Sequence, residues 1–260
     1  MLMNLINKSL LSFLVFFSLI SSVSYSQKKY DFNQFWGETG DFIAKPFSWE
    51  SSDFVKAGSI VAGTILLMQA DEPVKSKMME DRSLENRGIM RFGTIYGDAT
   101  PHIALGAGLL AFGYLGDNDY AWQFGYEMIQ AIAYTGAVTL VLKSFIGRGR
   151  PSAADNAFTF HPFDLGKGDQ YQSLPSGHAS VSFAVSTVFA SKVKNPWLKA
   201  LCYAPAVITA ASRVYNNRHW VSDVFLGAFI GHFIGKFVVD MHDSPVEITG
   251  GTSLGIRIKL

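Results

Sequence analysis

Six apolar stretches dominate the chain, near residues 55–70, 101–116, 124–146, 179–193, 197–212 and 220–240. Each is too long for an ordinary strand, so each is expected to be a helix. Gly, Ala, Ser and Thr recur inside them, small side chains that allow helix axes to approach closely. The period changes at the C-terminus. There Leu254, Ile256, Ile258 and Leu260 alternate with Gly255, Arg257 and Lys259, behind Gly250 and Gly251. A two-residue period after a glycine pair predicts a hairpin over 244–260. The expected fold class is therefore all-α, a bundle of about six core helices with its active site at one end, plus a short C-terminal β-hairpin.

Ahead of the bundle, Lys8, an apolar stretch over 10–20 and Ser24-Tyr25-Ser26 form the three parts of a secretory leader. Residues 1–26 are read as a signal peptide that is cleaved before Gln27, with an uncleaved first membrane helix as the alternative. Residues 27–54 interleave Phe32, Phe35, Trp36, Phe42, Phe47 and Trp49 with polar residues. That pattern suits an amphipathic segment at an interface or one packed on the core. The main domain is placed at 55–243, with its motif-bearing core at 99–240.

A membrane span needs about 20 mostly apolar residues. Bounded by charged residues, the apolar runs are shorter, for example 128–142 between Glu127 and Lys143, or 224–235 between Asp223 and Lys236. The basic loop 192–199, with Lys192, Lys194 and Lys199, favours the cytoplasmic side. That puts the loops holding Lys143 to His178 outside. With a cleaved leader and six crossings they would fall inside. The simplest resolution is a periplasmic helical domain that lies against the membrane or in which segment 55–70 does not cross, with full spanning left open. The expected location is the periplasm or the envelope membrane, with the site on the non-cytoplasmic side.

Composition narrows the function. Net charge is +1 and charged residues are 17% of the chain, which leaves no electrostatic footprint for nucleic acid. Cys202 is the sole cysteine, so no internal disulfide or cysteine-based metal site can form. Three short clusters carry the chemistry. Lys143 and Arg150 lie seven apart, on one face if helical, with Gly147, Gly149 and Pro151 expected to open a loop in which Arg148 and Arg150 swing around an anion. Pro175-Ser176-Gly177-His178 precedes a helix, where Ser176 caps free N–H groups, Gly177 admits an anion and His178 faces it. Arg213 can fork onto phosphate oxygens. His219 and Asp223 are four apart, so the carboxylate can fix the imidazole tautomer. Three cations, two imidazoles, a hydroxyl and a carboxylate suit a tetrahedral dianion attacked by histidine. His161, with Phe158, Phe160 and Phe163, could line an entrance.

These residues resemble the type 2 phosphatidic acid phosphatase superfamily, which includes vanadium haloperoxidases and bacterial class A acid phosphatases. Its pattern is Lys, six residues, Arg-Pro; then Pro-Ser-Gly-His; then Ser-Arg, five residues, His, three residues, Asp. Lys143, Arg150, Pro151, Pro175, Ser176, Gly177, His178, Ser212, Arg213, His219 and Asp223 match every fixed position. The resemblance implies His219 as nucleophile forming a phosphohistidine, Asp223 as its orienting group and His178 as general acid. It implies Lys143, Arg150, Ser176, Gly177 and Arg213 as phosphate-binding residues, with no metal and no cofactor. A metal-independent envelope phosphatase acting on a phosphorylated lipid is the expected function. A secreted acid phosphatase on small phosphomonoesters, a vanadate-dependent haloperoxidase and a non-catalytic head-group binder are the alternatives.

Overall fold

The computed structural model describes residues 30–80, 87–163 and 165–243, side chains of 165–167 excepted, together with the backbone of 246–250 and 254–258. The expected signal peptide at 1–26 lies outside the described residues. The chain divides into two compact units, before and after the boundary between Gly40 and Asp41. In the first, helix α1 (Phe32–Ala44) begins. There Phe32 and Trp36 meet edge to face at 5.8 Å, and both are exposed.

The second unit carries the site. Its helices are α2 (Ser51–Leu67), α3 (Asp71–Glu80), α4 (Arg87–Tyr96), α5 (Ala99–Leu115), α6 (Asp119–Ile146), α7 (Gly177–Ser191), α8 (Pro196–Cys202), α9 (Ala204–Tyr215) and α10 (Val221–Asp243). Polar caps set several boundaries: Asp98 accepts from Thr100 N at 2.8 Å to start α5, and Asn118 accepts from Ala121 N at 2.9 Å to start α6. The apolar run at 197–212 is split, because Tyr203 caps α8 and Pro205 opens α9. Pro lacks the N–H that a continuing helix would need.

α7 and α10 form the tightest pair. Gly227, Gly231 and Gly235 lie one turn apart on the α10 face that meets α7. A Cβ at these positions would stand 2.6 Å from Ser176 O, 2.0 Å from Ser180 O and 2.7 Å from Ala184 O. Met128 and Ile132 of α6 close on Val181 and Val185 of α7 to form one core cluster. A second, Ala179, Val214 and Val224, joins α7, α9 and α10 beneath the site.

The expected architecture needs two corrections. Helices α3 and α4 occupy a stretch where no apolar run predicts them, so about six core helices is too few. The C-terminal β-hairpin is not a component of the fold, which is all-helical. The backbone of 246–250 and 254–258 pairs only with itself, as a two-stranded ribbon. Among the described residues no helix packs closely on it, and an isolated two-stranded hairpin is marginal in water.

Three helical stretches are long and apolar enough to cross a membrane: Ser51–Glu80, Asp119–Ile146 and Val221–Asp243. Val61, Ile65 and Leu66 on α2, Leu140 and Val141 on α6, and Phe233 on α10 are exposed. Apolar surface on this scale is that of a membrane protein. Glu127 and Asp223, which bound two of the apolar runs in sequence, do not interrupt this surface, whereas Lys236 is exposed beside Asp240. Glu127 and Asp223 are both fully buried, and Glu127 accepts from Gln123 at 2.7 Å and pairs with Lys192 at 2.7 Å. The lipid-facing stretch is longer than the uncharged stretch because these charges point inward.

Candidate active site

The ends of α6 and α9 and the starts of α7 and α10 bring the three motifs together. α6 stops at Gly147, whose left-handed φ of 61° lets the chain fold back so that a Cβ there would sit 1.8 Å from His161 O. The next residue, Arg148, turns into the protein. Its Nη1 donates to Ser222 Oγ at 2.7 Å and Asp223 Oδ1 at 2.6 Å, and its Nη2 to Asp71 Oδ2 at 2.6 Å and Ala157 O at 2.7 Å. Nε donates to Ala157 O at 3.0 Å. Since guanidinium has five N–H donors, none is left for a ligand. The expectation that Arg148 swings around an anion beside Arg150 is corrected: it is fully buried and organises the site from behind.

His219 and Asp223 meet just before α10. The helix starts only at Val221, so His219 approaches from the preceding turn rather than as a helical i,i+4 neighbour. Its Nδ1 lies 2.9 Å from Ser173 O and 3.6 Å from Asp223 Oδ2. A carbonyl can only accept, so Nδ1 carries the proton and Nε2 keeps the lone pair. Asp223 is fixed in turn. Its Oδ2 accepts from Ser173 Oγ and from Trp220 N at 2.9 Å, and its backbone carbonyl accepts from Ser176 N at 3.0 Å. Ser173 thus serves both partners, with its carbonyl on the imidazole and its hydroxyl on the carboxylate.

The cations surround this pair. Lys143 Nζ donates to Gln172 O, and its Cε lies 3.8 Å from where a Cβ on Gly177 would be. Gly177 therefore leaves the start of α7 open beside the ammonium. Arg150 donates to the backbone and side chain of Asp169 on the loop between α6 and α7. Arg213, in the last turn of α9, is buried, and its Nε has no hydrogen-bond partner. A buried guanidinium donor without a partner is costly, which marks the position where an acceptor is needed. Ser176 is buried as the cap of α7, and His178 follows in its first turn against Gly97, where a Cβ would be 2.9 Å from the histidine Cβ.

Burial and these cations set the imidazole charges. His219 is pushed down to about 3, chiefly by burial, with Lys143 and Arg150 adding to the shift and Asp223 opposing it. His178 is pushed down to about 4 by burial and then by Arg213, with Asp98 opposing. Burial lowers Arg213 to about 10, with Arg150 and Arg218 contributing, so it stays charged at neutral pH. His161 makes an edge-to-face contact with Tyr171 at 4.3 Å, while Phe158 and Phe163 are exposed on the same loop.

Every predicted site residue lies in this one region. Sequence reading missed Asp71, Ser173 and the structural role of Arg148. Asp71 looks like an ordinary acid ending an apolar run, and Ser173 acts largely through its carbonyl, which any residue has.

Residues 124–246 match the PAP2 superfamily. A lipid A 1-phosphatase of Porphyromonas gingivalis is 29% identical over 66% of this chain and 34% of its own length. A PA-phosphatase related-family protein of Dictyostelium discoideum is 34% identical over 54% of this chain and 58% of its own. The chain thus spans well under two thirds of these relatives. The crystal structure of a transmembrane PAP2 type phosphatidylglycerolphosphate phosphatase from Bacillus subtilis superposes with a TM-score of 0.53. It is 23% identical and covers 71% of this chain and 94% of the other. With the complete motif set folded into one site and the match running from α6 through α10, residues 124–246 form a PAP2 superfamily domain.

Proposed function

We propose that this protein is a metal-independent phosphatase of the cell envelope that removes the phosphoryl group of a phosphorylated lipid. The observation that carries the reading is the pairing of a fixed tautomer with an uncommitted cation. His219 has its Nδ1 proton committed to Ser173 O, and Arg213 has a buried Nε without a partner. His219 Nε2 attacks phosphorus, forming the N–P bond of a phosphohistidine as the bond to the lipid oxygen breaks. His178 gives its proton to that leaving oxygen, and water then cleaves the N–P bond.

Phosphoryl transfer asks mainly for positioning and charge neutralisation. Lys143, Arg150 and Arg213 supply the positive charge, Ser176 and Gly177 the open helix start. His178 is neutral in the free protein, so the arriving dianion must bring its proton on. A negative charge beside an imidazole raises its pKa, and this makes protonation of His178 conditional on substrate.

The lipid substrate is supported by the exposed apolar helices and by the names of the relatives. The non-cytoplasmic orientation is supported by α7, whose first turn carries His178 and whose far end leads to Lys194 and Lys199. Fifteen residues at about 1.5 Å each separate the site from that basic loop by roughly 22 Å. The deciding experiment measures phosphate release from phosphatidic acid in neutral detergent with excess chelator. Release by the natural protein and none by His219→Ala supports the reading. Turnover that survives His219→Ala, or that chelator abolishes and divalent metal restores, overturns it.

A further inference from the structure

A second basic cavity opens next to the proposed catalytic site. It encloses about 650 Å³ and is lined by Arg87, Met90, Arg91, Thr94, Ile95, Tyr215 and Asn216. Asn216 caps α9 three residues after Arg213, so the cavity opens at the helix end that carries the proposed phosphate-binding arginine. Its far wall is α4, held in place by Asn216 Nδ2 donating to Thr94 Oγ1 at 3.2 Å and Thr209 Oγ1 donating to Gly93 O at 2.8 Å. Gly97, the residue just past α4, lies against His178, where a Cβ would be 2.9 Å from the histidine Cβ. The same short helix therefore borders both sites.

The charge on α4 is placed against its own interests. Arg87 and Arg91 are one turn apart on one face, where like charges repel. Arg87 is the first helical residue, and the first turn contains no acid. A cation there opposes the helix dipole, which favours anions at that end. Both arginines are exposed, and neither has a hydrogen-bond or ion-pair partner among the described residues. An anion between them would relieve both the repulsion and the opposition to the helix dipole. The opposite face of α4 presents exposed Ile89 and Phe92, with Ile95 at its edge. Such a face suits acyl chains and holds the arginines at headgroup depth.

We propose that the Arg87–Arg91 cavity is a binding site for a second anionic phosphate, presented at the same time as the scissile group enters the catalytic site. The volume fits a headgroup fragment rather than a lone phosphate, and Met90, Ile95 and Tyr215 give it apolar walls. The second phosphate belongs either to the substrate's own headgroup or to a neighbouring anionic lipid. This inference rests on the lipid phosphatase reading and adds substrate selection to it.

The test compares the natural protein with Arg87→Gln/Arg91→Gln on two substrates in neutral detergent. Phosphatidic acid carries one phosphate; phosphatidylglycerol phosphate carries a phosphomonoester and a second, diester phosphate. The double variant is expected to lose about tenfold in kcat/KM on phosphatidylglycerol phosphate, through KM, while phosphatidic acid turnover and thermal stability stay within twofold and unchanged respectively. A parallel arm adds phosphatidylglycerol to the phosphatidic acid micelles. If the variant's KM deficit appears only there, the second phosphate comes from a neighbouring lipid, and the cavity assignment stands. An equal loss on both substrates in neutral detergent, or no loss in any arm, overturns it. Failure of the natural protein to hydrolyse either lipid would sink the phosphatase reading instead. In that case loss of binding to phosphatidylglycerol nanodiscs by the double variant upholds the cavity, and unchanged binding removes it.

Discussion

Asp71 and Asp223 share one guanidinium: Arg148 donates to each at 2.6 Å, and all three side chains are fully buried. Asp71 also accepts from Ser222 N at 2.9 Å and Ser222 Oγ at 2.6 Å, so it grips the first turn of α10 directly. Two carboxylates around one cation leave the cluster with net negative charge on the side of His219. Asp223 can then hold the imidazole from 3.6 Å without sharing its proton.

Asp71→Asn keeps the shape but removes a charge that Arg148 balances. Arg148 then keeps Asp223 as its counter-charge but loses the buried pair with Asp71, at a cost of up to about 3–5 kcal/mol. We expect a lowered thermal midpoint and a kcat reduced about tenfold, with KM unchanged because Asp71 reaches no substrate. Asp71→Glu, which restores the charge in the wrong place, should recover stability only in part. A raised KM with normal kcat would show that the cluster shapes binding rather than the position of Asp223.

The two histidines separate by leaving group. His219→Ala should abolish turnover of every substrate while leaving substrate binding largely intact. His178→Ala should cost about 10²–10⁴-fold on an alkyl phosphate, where the leaving oxygen needs a proton. It should cost far less on p-nitrophenyl phosphate, whose leaving group departs as the anion. Steady-state kinetics on both substrates with each variant checks this. Equal losses on both substrates for His178→Ala would remove it from the role of acid.

The helices and the site differ in how much of each the sequence discloses. Long apolar runs with small residues announce α2, α5, α6, α7, α9 and α10, and motif spacing announces eight residues of the site. Helix α4 is hidden because its apolar positions, Ile89, Phe92 and Ile95, are sparse and interrupted by Arg87 and Arg91. The direction of Arg148 is hidden as well. Arg148 and Arg150 look alike in the string Gly-Arg-Gly-Arg, yet one is buried among carboxylates and the other reaches Asp169. Which way each points depends on Asp71, far away in sequence. The membrane question follows the same logic, since Glu127 and Asp223 shorten an apolar run on paper but face inward in space.

Glycine placement on α10 gives a test of helix spacing. A Cβ at Gly231 would stand 2.0 Å from Ser180 O, a contact with backbone that no rotamer can relieve. Gly231→Ala should push α10 from α7, destabilise the protein by about 1–3 kcal/mol or more and lower kcat, since His178 and Asp223 start those two helices. Gly136→Ala on α6 is the control. Nothing lies within 4 Å of its Cβ position, and a helical Gly replaced by Ala should gain about 0.5–1 kcal/mol. Thermal unfolding of both variants in detergent checks the contrast, and equal midpoints would mean that the α7–α10 contact is looser than described.

The pH profile tests how His178 is charged. In the free protein its pKa lies at about 4, lowered first by burial and then by Arg213, while the negative charge of Asp98 opposes the shift. In the complex the bound dianion also favours the imidazolium, and the alkaline limb of kcat reports the resulting pKa. Asp98→Asn removes one anion that supports the charged ring, so the limb should move to lower pH. The acid-side plateau of kcat should not change, since His178 is protonated there in either protein. The cap on α5 should survive, because Asn caps a helix start about as well as Asp, and thermal stability near neutral pH serves as that control. A pH–rate profile with phosphatidic acid decides the matter. A limb that stays in place or moves upward, with the plateau intact, would mean that another group supplies the proton to the leaving oxygen.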